Sequence, residues 1–113
     1  VRASAGRAAA RVLDLPSRKA LEYLDSLASE SAGDLELQRE LAKAYQRVGD
    51  VQGLAGEANL GDTAGALKSY QKAGEILEDV LRRAPGKDSK MELATIYDRL
   101  ATVNAGPDRG FTY

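Results

Sequence analysis

Few side chains in this sequence are suited to chemistry, and their spacing limits what they could do. There is no histidine and no cysteine. A serine nucleophile would therefore have only a lysine or a carboxylate as its base, and thiol chemistry, disulfides and nearly every transition-metal site are excluded. Ser26, Ser29 and Ser31 cluster at a helix end among solvated neighbours and read as surface residues. Glu36 and Glu40 share a helical face, but no apolar pocket is in prospect to raise either carboxyl into the range for proton transfer. Gly86-Lys87-Asp88-Ser89 has the ending of a phosphate loop, yet it lacks the upstream glycine and follows a helix, so it reads as a helix-to-helix turn. Between Asp50 and Asp62 the acids do not alternate as a calcium loop requires, and the glycines there suit turns. The expectation is a chain that is not an enzyme and that holds no metal and no cofactor.

Composition narrows the remaining roles. A chain of 113 residues is the size of one domain. Aromatics make up only 5%, and Ala, Leu, Glu, Lys and Arg, the strong helix formers, dominate. The 16 basic and 17 acidic side chains leave a net charge of −1. Without a basic excess to track a phosphate backbone, nucleic acid is not an expected partner. No apolar run approaches the roughly 18 residues of a membrane-spanning helix, so direct membrane insertion is not expected. The chain opens Val1-Arg2-Ala3 with no initiator Met and reads as an excised or processed piece.

The elements that must position the polar side chains follow from apolar periodicity. Residues 1–16 form an Ala/Arg-rich leader, expected to be partly ordered. Pro16 and Ser17 suit the start of a helix over 17–31, whose stripe is Ala20, Leu21, Leu24, Leu27 and Ala28. Ala32-Gly33 ends it. Asp34 can cap a second helix over 35–48, with Leu37, Leu41, Ala44, Tyr45 and Val48 inward and Gly49 as its stop. An inserted loop, 49–62, separates it from a third helix over 63–84, capped by Asp62 or Thr63. That helix turns Ala66, Leu67, Tyr70, Ala73, Leu77 and Leu81 inward and sets Glu78 against Arg82 and Asp79 against Arg83 outside. After Pro85-Gly86, Ser89 and Glu92 form a capping box for a fourth helix over 89–104, with Leu93, Ala94, Tyr97, Leu100 and Ala101 inward. Asn104-Ala105-Gly106-Pro107 ends it, and 105–113 is expected to be a frayed tail. No strand-type alternation occurs. The fold class is all-α, with four main helices over 17–104.

A repeat lies in the spacing. Ala20, Leu24 and Leu27 return as Ala66, Tyr70 and Ala73, each 46 positions later. Gly49-Asp50 and Gly61-Asp62 read as one turn written twice, 12 apart, and removing those 12 leaves a period of 34. Leu41-Ala42-Lys43-Ala44-Tyr45 and Leu93-Ala94-Thr95-Ile96-Tyr97 share a Leu-small-x-x-Tyr pattern. On these residues the chain resembles the tetratricopeptide family. Gln38 and Lys90 depart from it, standing where the family often has a large apolar residue, and Tyr45 to Tyr97 is 52, six more than the repeat explains. Those six are expected in an over-long third helix around Glu75 to Arg83.

A closer resemblance runs over about residues 18–84. Ala20-Leu21-Glu22-Tyr23-Leu24-Asp25-Ser26-Leu27-Ala28, Val48-Gly49-Asp50-Val51-Gln52-Gly53 and Ala58-Asn59-Leu60-Gly61-Asp62-Thr63-Ala64-Gly65-Ala66-Leu67 are similar to the repeat region of bacterial serine/threonine protein kinases. No kinase motif is in this chain, neither His-Arg-Asp nor Asp-Phe-Gly. The resemblance implies a right-handed stack of antiparallel helix pairs that acts as a regulatory or docking segment. It implies an extracytoplasmic segment if the parent is membrane-anchored with the repeats after the span, and a cytoplasmic one otherwise.

The family likeness also implies a concave groove lined by first-type helices, here the second and fourth. Its candidate residues are Glu36, Arg39, Lys43, Gln46 and Arg47, with Asp88, Met91, Thr95, Asp98 and Arg99. Lys43 stands where relatives that grip C-terminal carboxylates need Asn, so that activity is not carried over. Arg39, Lys43 and Arg47 suit a protein or peptide partner of acidic character. Leu93, Ile96, Leu100 and Val103 on the last helix have no following helix to cover them, which predicts a homo-oligomer unless the Ala-rich N-terminus folds back as a cap.

Overall fold

The computed structural model describes residues 11–54 and 59–110. The first ten residues of the leader, 55–58 of the inserted loop and the last three of the tail lie outside the described residues. A 3₁₀ turn, Val12–Asp14, is followed by α1 (Ser17–Glu30), α2 (Leu35–Gly53), α3 (Thr63–Arg83) and α4 (Lys87–Gly110). Among the described residues there is no strand, and the fold is all-α.

Local chemistry accounts for most of the boundaries. Pro16 occupies the N-cap of α1 with no side-chain cap, and Ser17 is the first helical residue. Asp34 caps α2 by accepting from the Leu37 N–H at 3.1 Å, and Asp62 caps α3 by accepting from the Gly65 N–H at 2.9 Å. Asp62 also follows Gly61, whose φ of 75° is a left-handed conformation that favours glycine.

Two expected stops are not stops. Helix α2 runs through Gly49-Asp50 to Gly53. The reason is packing: a Cβ at position 49 would lie 2.7 Å from a ring carbon of Tyr70, so glycine there lets α3 cross closely. Gly49-Asp50 lies inside a helix and Gly61-Asp62 opens one, so the two are not one turn repeated. Helix α4 likewise starts at Lys87 and runs to Gly110, past Asn104-Ala105-Gly106-Pro107. Ser89 is therefore inside the helix and buried, and no capping box forms. Glu92 turns to Arg39 instead.

Helices α2 and α3 pack antiparallel. Gly49 meets Tyr70 while Gly53, further along α2, meets Ala66, earlier in α3. The loop after α2 is tied back to it, with the Leu60 N–H donating to Val51 O and the Asp62 N–H to Gln52 O. The core is built from Leu24, Leu41, Tyr45, Tyr70, Leu77 and Ile96, with Val12 of the 3₁₀ turn folded onto α1 and α2. One polar pair is sealed inside it: Ser69 Oγ donates to Gln52 Oε1 at 2.5 Å. Both partners are satisfied, which is what makes the burial tolerable.

Candidate functional site

Helices α2 and α4 present the Leu-small-x-x-Tyr pattern 52 positions apart, and their polar faces meet along one side of the molecule. Where they meet, Arg39 grips Glu92 with two nitrogens, Nε at 3.3 Å and Nη2 at 3.2 Å. Lys43 Nζ reaches the same carboxylate at 3.4 Å. The fork matches the carboxylate plane, the geometry in which an arginine pair is strongest. Glu92 in turn holds the Arg39 guanidinium pKa above its ordinary value, chiefly through the hydrogen bond.

Clefts flank this ion cluster on both sides. One, of about 300 Å³, is lined by Lys43, Gln46, Arg47, Glu92 and Thr95. The other, of about 460 Å³, is lined by Leu35, Glu36, Arg39, Val80, Ala84, Gly86, Lys87, Asp88 and Ser89. Most of the groove residues expected from sequence therefore line one or the other of these two clefts. Three do not join them. Met91 is 61% exposed and touches neither cleft. Arg99 donates to Asp50 of α2 at 3.1 Å, and exposed Asp98 sits 3.9 Å from it. The basic ridge is thus less free than its sequence implies, because Arg39 and Lys43 share Glu92. Arg47 is exposed at the cleft edge. The signal that was missed is Glu92 itself: assigned to a cap, it is the acid at the centre of the site.

The proposed self-association residues are used within the chain. Ile96 and Val103 are buried, and Leu93 and Leu100 are partly buried against the same core. An apolar face does remain open on α4, but it is a different one. Tyr97 is 49% exposed, and Ala94 and Ala101 are exposed, although the sequence placed all three inward.

Of the two expected outer pairs of α3, Asp79–Arg83 forms and Glu78–Arg82 does not. Asp79 takes both Arg82 and Arg83 at 3.2 Å, while Glu78 accepts from the Tyr97 hydroxyl at 2.6 Å. Gln38, a departure from the family pattern, donates to the carbonyls of Ser31 and Ala32 and so secures the turn between α1 and α2. Ser29 and Ser31 donate to the backbone of their own helix, and Ser31 is buried, not the surface residue the sequence suggested. Among the described residues no group of His, Cys, Asp or Glu could hold a metal ion, and no helix is long and apolar enough to cross a membrane.

Compared with known protein families, curated proteins and solved structures, the chain matches none.

Proposed function

We propose that this chain is a tetratricopeptide-like interaction module whose α2–α4 groove takes an acidic protein or peptide segment. In this reading it serves as a regulatory or docking segment of a larger bacterial signalling protein of the serine/threonine kinase kind and is itself non-catalytic. One observation carries the reading: two helices of the same sequence pattern bring their polar side chains to a cleft edged by Lys43 and Arg47, with Arg39 lining the neighbouring cleft and joined to the first through Glu92. A carboxylate is already bound there by the Arg39 fork, and it belongs to the chain. An incoming acidic side chain would replace or extend that contact, gaining orientation and on-rate more than affinity.

A fluorescent Glu-rich peptide, followed by anisotropy, tests this. Binding should be saturable and should weaken as salt rises. Reversing Arg39 and Lys43 to Glu should weaken it about tenfold or more, and Glu92→Gln, which removes the internal competitor, should strengthen it. Unchanged binding by the folded double variant would remove the groove from consideration.

A second reading, self-association, draws support from the exposed face of α4 at Ala94, Tyr97 and Ala101. A mass that rises with concentration in light scattering would favour it. That mass should then fall for variants at those positions and not for Leu93 or Val103.

A further inference from the structure

Three tyrosines repeat one contact along the chain. The Tyr45 hydroxyl on α2 donates to Asp25 of α1, Tyr70 on α3 donates to Asp50 of α2, and Tyr97 on α4 donates to Glu78 of α3. In the first two cases a third helix adds a cation. Lys72 of α3 lies 2.7 Å from the Asp25 carboxylate. Arg99 of α4 lies 3.1 Å from the Asp50 carboxylate. The rule is a carboxylate on one helix, a hydroxyl from the next, and a cation from the one after.

The third set is incomplete. Glu78 has its tyrosine, but among the described residues no Lys or Arg pairs with it. The surface around it has the matching shape. Ala42, Tyr45 and Gly49 of α2 are buried, with Tyr70 of α3 lying against Gly49. Their counterparts on α4, 52 positions on, are Ala94, Tyr97 and Ala101, all exposed. A helix placed on α4 as α3 is placed on α2 would cover those small residues and bring its own cation to Glu78.

We propose that this face of α4 docks a helix from a partner polypeptide, one that carries small residues on either side of an aromatic and a Lys or Arg that completes the Glu78–Tyr97 set. The template for the occupant is α3, where Ala66, Tyr70 and Ala73 form the packing stripe and Lys72 is the cation. A second copy of the chain is a poor source, because those α3 residues are buried in their own core. The surface is distinct from the Arg39–Glu92 groove, so neither proposal depends on the other.

A labelled peptide of residues 63–83 serves as the probe against the full chain, with anisotropy as the readout. Saturable binding is expected. Glu78→Lys in the protein should weaken it by about fivefold, the effect of losing a partly exposed charge pair. A peptide carrying Lys72→Glu should recover that loss. Ala101→Trp, at an exposed position where bulk does not threaten the fold, should block the peptide while leaving the helical circular dichroism unchanged. No binding would overturn the proposal, as would binding indifferent to both Glu78→Lys and Ala101→Trp. Sensitivity to Asp25→Lys in place of Glu78→Lys would mean that the peptide had replaced the chain's own α3 on α2, and would overturn it too. A concentration-dependent dimer that Ala101→Trp dissociates, without peptide binding, would assign the face to a second copy instead.

Discussion

Helices α2 and α4 carry nearly the same pattern of side chains and meet opposite surroundings. Ala42, Tyr45 and Gly49 on α2 are sealed, Tyr45 at 2% exposure. Ala94, Tyr97 and Ala101 on α4 are open, Tyr97 at 49%. The inward residues of the two helices behave alike: Leu41 and Ala44 are buried, Ile96 is buried and Leu93 partly so, because each helix has a preceding helix to pack on. What differs is the following helix, present as α3 for α2 and not among the described residues for α4. Periodicity states which faces of a helix are able to pack, and topology decides which of them find a partner.

The largest effect that should separate the two faces is truncation of the tyrosines. Tyr45→Ala removes a buried ring and its bond to Asp25, and should cost about 3–5 kcal/mol, as large aromatic deletions in cores do. That is enough to unfold a marginal domain. Tyr97→Ala removes a half-exposed ring and one surface bond, and should cost about 1 kcal/mol or less. Urea unfolding followed by far-UV circular dichroism measures both. Equal losses would show that the α4 face is covered after all.

A smaller contrast comes from adding bulk. Gly49→Leu places a side chain where even a Cβ meets the Tyr70 ring at 2.7 Å, and that ring is anchored by Asp50 and cannot swing away. A loss of about 3 kcal/mol is expected from such overpacking. Ala101→Leu, at the corresponding position of α4, should stay within about 0.5 kcal/mol of the parent. If both were tolerated, the glycine would be incidental to the crossing of α2 and α3.

Much of the fold was legible in sequence because apolar stripes with three- and four-residue steps constrain helices strongly. Asp34 and Asp62 were readable as caps for the same reason: a short acceptor side chain before an apolar run has one common use. Gly49 was misread because glycine ends helices by its conformational freedom and permits close helix crossings by its lack of a side chain. Sequence alone does not separate the two uses. Only the ring of Tyr70, remote in the chain, decides it. The groove was legible as a set of positions but not as an electrostatic arrangement. Arg39 and Lys43 read as free cations because Glu92, 53 residues from Arg39, had a plausible local role as a cap. The three tyrosine–carboxylate contacts were hidden for a related reason: Asp25, Asp50 and Glu78 look like ordinary solvated acids until the next helix is laid against them.

The finest distinction between the two faces is in how the tyrosines titrate. Burial, followed by the bond to Asp25, pushes the Tyr45 hydroxyl far above the usual phenol range. The Tyr97 hydroxyl is also raised, but chiefly by its bond to Glu78, at a site open to water. A pKa raised in the folded state contributes stability that is fully present below the unfolded value, about 10 for tyrosine, and is lost as pH rises above it. Both tyrosines should therefore contribute to an alkaline decline, and the share of Tyr97, exposed and screened by water, should be the smaller. Asp25 gives the opposite arm. Burial by itself would raise its pKa, but the Lys72 and Tyr45 hydrogen bonds outweigh that and lower it, so its contribution is present above about 3.9 and lost as pH falls toward its folded value. Tyr45→Phe should be less stable than the parent near neutrality by about 1 kcal/mol, the net worth of one hydrogen bond, and should lose less on going to about pH 10.5. Tyr97→Phe should follow the parent curve closely over the same range. Urea midpoints at both pH values decide it. Parallel declines for the parent and Tyr45→Phe would mean that Tyr45 ionises without unfolding the chain, and that the burial separating α2 from α4 is weaker than the structure shows.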